Sequence, residues 1–169
     1  LEETKTARAE DAETHIAELS RLVDQLKSTA DELSESREQF RHAAYHDAIT
    51  ALPNRNYVLS LIDQLLKKNE LSSGERFAVM LINLNRFRSV NESLGYQTGD
   101  RVIKHLAKRL RELSSPGETV GHFGADKFVM VLPSVTSEAT AIGRAEAVAH
   151  CISEAIVFKG RTLYTSASI

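Results

Sequence analysis

Residues 81–100 read LINLNRFRSVNESLGYQTGD, and the rest of the chain is organised around them. The apolar run at 77–82 that leads in has the character of a buried strand. It ends at two amides, Asn83 and Asn85, and strand exits are where ligand groups are often placed. Phe87, Val90 and Leu94 then fall on one helical face. Gly95 suits a helix stop, and Thr98-Gly99-Asp100 opens a second helix with Thr98 as its expected cap.

The polar residues left over, Asn83, Asn85, Arg88, Asn91 and Asp100, gather at one strand end and two helix starts. Such a place suits a phosphate-bearing ligand. Pattern alone leaves a plainer reading open, in which they are caps and solvated loop residues.

Outward from this stretch the chain reads as follows. Residues 47–53 form a turn, since Pro53 steers Leu52 away from helical geometry. A helix is expected at 54–69, a Ser-Ser-Gly loop at 72–74, a strand at 76–84 and helices at 87–94 and 98–114. Ser114-Ser115-Pro116-Gly117 breaks the pattern. Apolar runs at 119–123 and 127–132 around Gly124-Ala125-Asp126 predict a tight hairpin. An Ala-rich helix at 137–156 follows, with strands at 156–158 and 163–169 around Lys159-Gly160-Arg161. This order predicts an α+β fold, a central mixed sheet flanked by helices.

Composition changes near residue 45. Residues 1–44 hold 6 Lys/Arg and 11 Asp/Glu, a net of −5, and the remainder holds 15 against 12, a net of +3. The mild positive balance suits a nucleotide phosphate and is too weak to argue for nucleic acid. Residues 1–44 therefore read as one unit and 45–169 as another. Residues 8–44 contain neither Gly nor Pro. Ala9, Ile16, Val23, Ala30, Arg37 and Ala44 fall at heptad position a, and Ala12, Leu19, Leu26, Leu33 and Phe40 at d. β-branched residues at a with Leu at d favour a parallel two-stranded coil, a homodimer through residues 9–44. A lone Arg37 in the seam sets register at some cost in stability. The rod would be roughly 54 Å long at ~1.5 Å per residue.

Cys151 is the one cysteine, so no intramolecular disulfide forms, which fits a reducing, cytoplasmic setting. No apolar run is long enough to span a membrane. The chain starts at Leu1 and so reads as a fragment, compatible with a parent anchored in the inner membrane.

The stretch 83–100, NLNRFRSVNESLGYQTGD, resembles the core of the GGDEF domain, the diguanylate cyclase family of bacteria, whose form there is close to D-x-D-x-F-K-x-x-N-D-x-x-G-H-x-x-G-D. Residues 47–55, DAITALPNR, resemble the family's D-x-L-T-G-L-P-N-R entry. Gly124-Ala125-Asp126-Lys127-Phe128 stands where the G-G-D/E-E-F signature belongs. Three ordered motifs between Tyr45 and Ile169 make the resemblance specific. It implies the palm-like sheet shared by GGDEF domains and nucleotidyl cyclases, and a chain that stops inside the family's last strand motif.

The departures bear on chemistry. Joining two GTP molecules is phosphoryl transfer and needs divalent metal. Magnesium prefers carboxylate oxygens in a near-octahedral shell. The resemblance implies metal carboxylates at the positions of Asn83 and Asp126, so only Asp126 stays anionic and the amide of Asn83 is a poor substitute. Lys127 replaces an acidic residue and is placed to pair with Asp126. Ala125 replaces a glycine and Asn85 replaces the second Asp. No catalytic set is intact, no cofactor is required, and Mg²⁺ would bind weakly.

Nucleotide recognition is implied at Asn91 and Asp100 for the guanine edge, with Arg88 and the backbone near Phe87 for phosphates. The family's inhibitory product site is R-x-x-D, and here Ser115 and Glu118 hold those positions, so that site is lost. Asp47, Thr50, Pro53, Asn54 and Arg55 read as structural junction residues. The expected function is an inactive GGDEF module in cyclic di-GMP signalling. It would carry a signal from the coiled coil to a downstream effector, such as an EAL phosphodiesterase domain, with residual GTP binding. Two alternatives stand beside it: a weakly active diguanylate cyclase and a ligand-free dimerisation scaffold.

Overall fold

A computed structural model describes the backbone of residues 2–71, 76–158 and 160–169, and within these the side chains from residue 18 onward except 20, 70 and 71. The loop expected at 72–74, Lys159, and the side chains of Ala9, Ala12 and Ile16 lie outside the described residues. The chain divides into two compact units, Leu1–His42 and Ala43–Ile169.

The first unit is one helix, α1, which continues to Tyr45 (Glu2–Tyr45). Leu19, Val23, Leu26, Leu33 and Phe40, all expected seam residues, are exposed in the single chain. No helix among the described residues is long and apolar enough to cross a membrane.

The second unit runs α2 (Arg55–Leu71), β1 (Ala78–Leu84), α3 (Phe87–Leu94), α4 (Tyr96–Leu113), β2 (Thr119–His122), β3 (Lys127–Leu132), α5 (Glu138–Ser153), β4 (Ile156–Phe158), β5 (Arg161–Leu163) and β6 (Ala167–Ser168). Four strands form a sheet in the order β2-β3-β1-β6, and β4 and β5 make a separate hairpin. Every described ladder is antiparallel, where a mixed sheet is expected from the sequence.

One face of the sheet presents Met80, Ile82, Leu84, Val120, Phe128, Met130 and Leu132 to α4 and α5, whose Leu106, Leu110, Val148 and Ile152 complete the main core. On the other face α2 lays Val58, Leu61, Ile62 and Leu65 over Val129 and Val131. Each fully buried aliphatic side chain contributes on the order of 1.5–3 kcal/mol to these layers. The expected buried run at 77–82 instead alternates, because α2 packs on β2 and β3 and leaves Val79 and Leu81 exposed on β1.

Local chemistry fixes the element ends. Asn54 caps α2 by accepting from the Tyr57 N–H at 3.1 Å, and Ser137 caps α5 through the Thr140 N–H at 3.2 Å. The α5 helix stops at Ser153, short of the expected 156, where Glu154 turns extended and Arg109 takes the Glu154 and Ala155 carbonyls. Residues expected as one strand at 163–169 split between two sheets. The Thr165 hydroxyl donates to the Ile152 carbonyl at 2.8 Å between the two pieces. Thr98 does not cap α4. Gly95, at φ 81° and ψ 155°, both ends α3 and begins α4, so the second helix starts two residues before Thr98.

Candidate functional site

Of the residues singled out in the sequence, Asn83, Asn85, Asp126 and Lys127 come together at the end of β1. Asn83 is exposed and lies opposite Lys127 of β3 on one side and Ser168 of β6 on the other. Residues directly opposite in a ladder point to the same face, so the amide and the ammonium stand side by side. The hairpin tip reaches β1 through the Asp126 carbonyl, which accepts from the Leu84 N–H at 2.9 Å. Lys127 and Asp126 form no ion pair, against the expected pairing. The physical reason is the pleat: consecutive residues entering a strand point away from each other.

Asn85 is committed elsewhere. Its Nδ2 donates to Ser166 Oγ at 3.1 Å and its Oδ1 accepts from Ser168 Oγ at 2.9 Å, while its backbone N–H donates to the Ser166 carbonyl at 2.7 Å. It ties the strand exit to the last residues of the chain.

Ala125 adopts φ 51°, so this alanine keeps the left-handed backbone that a glycine would take freely. Ala51 of the entry turn does the same at φ 57°. Both stand where the sequence pattern of the resembled family has Gly.

A cleft of about 900 Å³ opens between the β1 exit, α3 and residues 164–166. Asn85, Arg86 and Phe87 line its floor, with Tyr164 and Ser166 across from them. Phe87 is also buried in the core. Arg86 begins α3 at φ 55°, and among the described residues it makes no ion pair. Arg88, the cation expected at the phosphates, instead bonds Glu92 at 2.9 Å with a side chain 91% exposed, and does not line the cleft. Sequence reasoning missed Arg86 because its only distinguishing feature is a backbone conformation.

Asn91 is half-buried where α3 meets α4, and Asp100 is exposed on α4, just past its first turn. A Cβ on Gly99 would stand 1.8 Å from Asn91 Oδ1 and 3.3 Å from the Phe87 ring. Gly99 is thus what allows Asn91 to sit beside the backbone that leads into Asp100.

Glu118, at the position of the inhibitory-site acid, is held inside the protein. Its carboxylate accepts from Arg144 Nε at 2.9 Å, from Arg144 Nη2, and from the Ser115 N–H at 2.7 Å. Burial pushes its carboxyl up, but the Arg144 and Ser115 hydrogen bonds outweigh that and hold it below its ordinary value.

The junction residues form a tight constellation of their own. Asp47 Oδ1 accepts from the Thr50 N–H and hydroxyl, both at 2.8 Å, and from the Ile49 N–H at 3.1 Å. Asn54 Nδ2 donates to the Ala44 carbonyl at 2.8 Å, a bond within the second unit. His122, unnoticed in the sequence, is the one buried polar side chain among the described residues and lies with Nδ1 2.9 Å from Asp47 Oδ1. Burial raises the Asp47 carboxyl, yet Thr50 and His122 bring it below its ordinary range.

A divalent cation needs several hard oxygen donors. This strand end offers one carboxylate, one amide and an ammonium, and among the described residues no three His, Cys, Asp or Glu side chains come together. The donor set does not fit Mg²⁺.

Residues 44–169 match the family described as diguanylate cyclase, GGDEF domain. The chain belongs to the GGDEF family. It is 31% identical over 165 residues to the diguanylate cyclase TpbB of Pseudomonas aeruginosa, covering 93% of this chain and 38% of that protein. It is 29% identical to the cyclic di-GMP phosphodiesterase NbdA of Pseudomonas aeruginosa, covering 93% of this chain and 19% of that one. The chain therefore spans under two fifths of the length of these curated GGDEF relatives. A TpbB structure comprising only the GGDEF domain superposes with a TM-score of 0.68 at 30% identity, covering 72% of this chain and 71% of that one. The coiled coil and GGDEF domain of DgcB from Caulobacter crescentus, in complex with c-di-GMP, superposes at 0.78 over 88% of this chain and 78% of that one, at 23% identity. This second likeness speaks to the GGDEF fold alone.

Proposed function

We propose that this chain is a GGDEF module that has lost cyclase chemistry and serves cyclic di-GMP signalling as a relay. The carrying observation is Lys127 directly opposite Asn83 at the β1 exit. Phosphoryl transfer between two GTP molecules depends on metal to neutralise phosphate charge. With a neutral amide and a cation where anionic ligands are needed, Asp126 alone is a weak metal anchor. Asn91 and Asp100 retain hydrogen-bonding groups suited to a guanine edge. The cleft at the β1 exit, which Asn91 and Asp100 do not line, suits phosphates through Arg86 and the backbone at the start of α3. In this reading GTP binds weakly as an allosteric ligand, not a substrate.

The exposed seam of α1 is covered in a parallel homodimer, and the input arrives through that coil. The output goes to an effector in a longer protein, a phosphodiesterase domain being the kind the NbdA relationship suggests.

The test is incubation with GTP and Mg²⁺ or Mn²⁺, followed by chromatography. No cyclic di-GMP above a no-protein control is expected, and product overturns the reading in favour of a weak cyclase. Calorimetry with GTP and ATP separates relay from scaffold. Millimolar GTP binding that exceeds ATP binding supports the relay, and equal or absent binding supports a scaffold without ligand.

A further inference from the structure

We propose, resting on the nucleotide reading above, that Lys127 is a resident cation, so that the ligand at the β1 exit binds as a polyphosphate free of metal. The strands set the geometry. Lys127 is the first residue of β3 and lies opposite Asn83. Side chains two apart share a strand face, so Lys127 continues the row of Val129 and Val131, and Asn83 continues that of Val79 and Leu81. Val129 and Val131 are buried under α2, whereas Lys127 and Asn83 are both exposed at the open end of the row. Among the described residues neither of these two side chains has an ion-pair or hydrogen-bond partner. The Lys127 charge is therefore not neutralised from within the protein.

Arg86 adds a second cation. It is exposed, unpaired among the described residues, and lines the cleft that opens at Leu84. Three residues of chain separate it from Asn83, at most about 11 Å. Two long side chains and an extended triphosphate close that distance. Asn83 works in the same direction, because its Nδ2 can donate to a phosphate oxygen and a carboxylate there could not. Phosphate oxygens thus meet an ammonium, a guanidinium and an amide donor. A divalent ion on the triphosphate changes the sign. It cancels much of the ligand's negative charge and sets a further cation against Lys127 and Arg86. Metal then competes with the protein for the ligand, the reverse of its part in a carboxylate site.

The test is calorimetry on the whole chain at fixed ionic strength, with inorganic tripolyphosphate, GTP and ATP each titrated in EDTA and in excess Mg²⁺. Tripolyphosphate and GTP are expected to bind about three- to tenfold more tightly in EDTA, the weight of one charge-assisted contact. Lys127→Met is expected to remove that preference, Lys127→Arg to keep it, and Lys127→Glu to reverse it. Lys127 is exposed, so none of these changes disturbs the core. Equal or tighter tripolyphosphate binding with Mg²⁺ in the parent chain overturns the resident cation. So does absent binding in EDTA, or an undiminished preference in Lys127→Met. Guanine choice fails separately. Tripolyphosphate that prefers EDTA while GTP and ATP bind alike keeps Lys127 and removes the guanine-selective relay. GTP that outbinds ATP only with Mg²⁺ keeps the relay and removes Lys127.

Discussion

Arg144 closes on Glu118 with two guanidinium nitrogens, and its Nη2 also donates to the Leu113 carbonyl at 2.6 Å. One side chain of α5 thus holds both the end of α4 and the loop before β2. The two side chains are 18% and 12% exposed, so the pair is largely desolvated. Arg144→Ala strands a carboxylate and is expected to cost about 3 kcal/mol in urea unfolding. The double change Arg144→Met/Glu118→Leu should cost less than Arg144→Ala alone. A double mutant that loses more would show that the pair itself is stabilising.

Acid should unlock two places together. Asp47 and Glu118 have folded-state carboxyls below their ordinary values of 3.8 and 4.5. Their stabilisation is complete above those values and is lost as pH falls through the lowered folded ones. The urea midpoint is expected to drop below about pH 4.5, with a shallower drop in Asp47→Asn and Glu118→Gln. An unchanged acid limb in both variants would rule these carboxyls out as its source.

Ala51 and Ala125 both carry a left-handed backbone. Such a conformation costs a non-glycine residue roughly 1–2 kcal/mol, partly offset because glycine is more flexible when unfolded. Ala51→Gly and Ala125→Gly are each expected to stabilise the domain by about 0.5–1 kcal/mol, raising the melting temperature by about 2–4 °C. Calorimetric scans that show a loss would mean the surrounding turn has already paid the strain back.

Lys127 and Asn83 can be exchanged for the anions that the metal chemistry calls for. Asn83→Asp with Lys127→Glu is expected to raise Mn²⁺ affinity at least about tenfold by calorimetry, since carboxylates are the ligands such a cation prefers. Equal affinity in the parent chain and the double variant would show that these positions do not govern the metal.

Leu26 is 69% exposed in the single chain. Leu26→Lys is expected to shift sedimentation from dimer toward monomer and leave the unfolding of the second unit unchanged. A buried Leu is worth on the order of 1.5–3 kcal/mol, which is at least a tenfold change in dimer dissociation. A parent chain that sediments as a monomer at tens of micromolar removes the dimer.

Much of this was readable from residues close in sequence. The spacing of Phe87, Val90 and Leu94 located α3, and Gly124-Ala125-Asp126 located the hairpin. What could not be read depended on partners distant along the chain. Asn83 meets Lys127 only once β1 and β3 choose their register. His122 looked like one more strand residue until Asp47 lay against it. Arg86 and Arg88 look alike as letters, and a positive φ at the first separates their surroundings. The final residues looked like one strand because nothing local announces that Asn85 takes Ser166 and Ser168.

Gly95 leaves no slack between α3 and α4. A helix advances about 100° per residue, so one residue added at this corner would rotate α4 by that angle about its axis. Gly99 would leave the Asn91 contact, and a neighbour bearing a Cβ would turn toward it. The apolar stripe of Val102, Leu106 and Leu110 would swing off the sheet in the same motion. The corner therefore works as a length gauge: evolution can rewrite the letters on either side far more freely than it can insert or delete one.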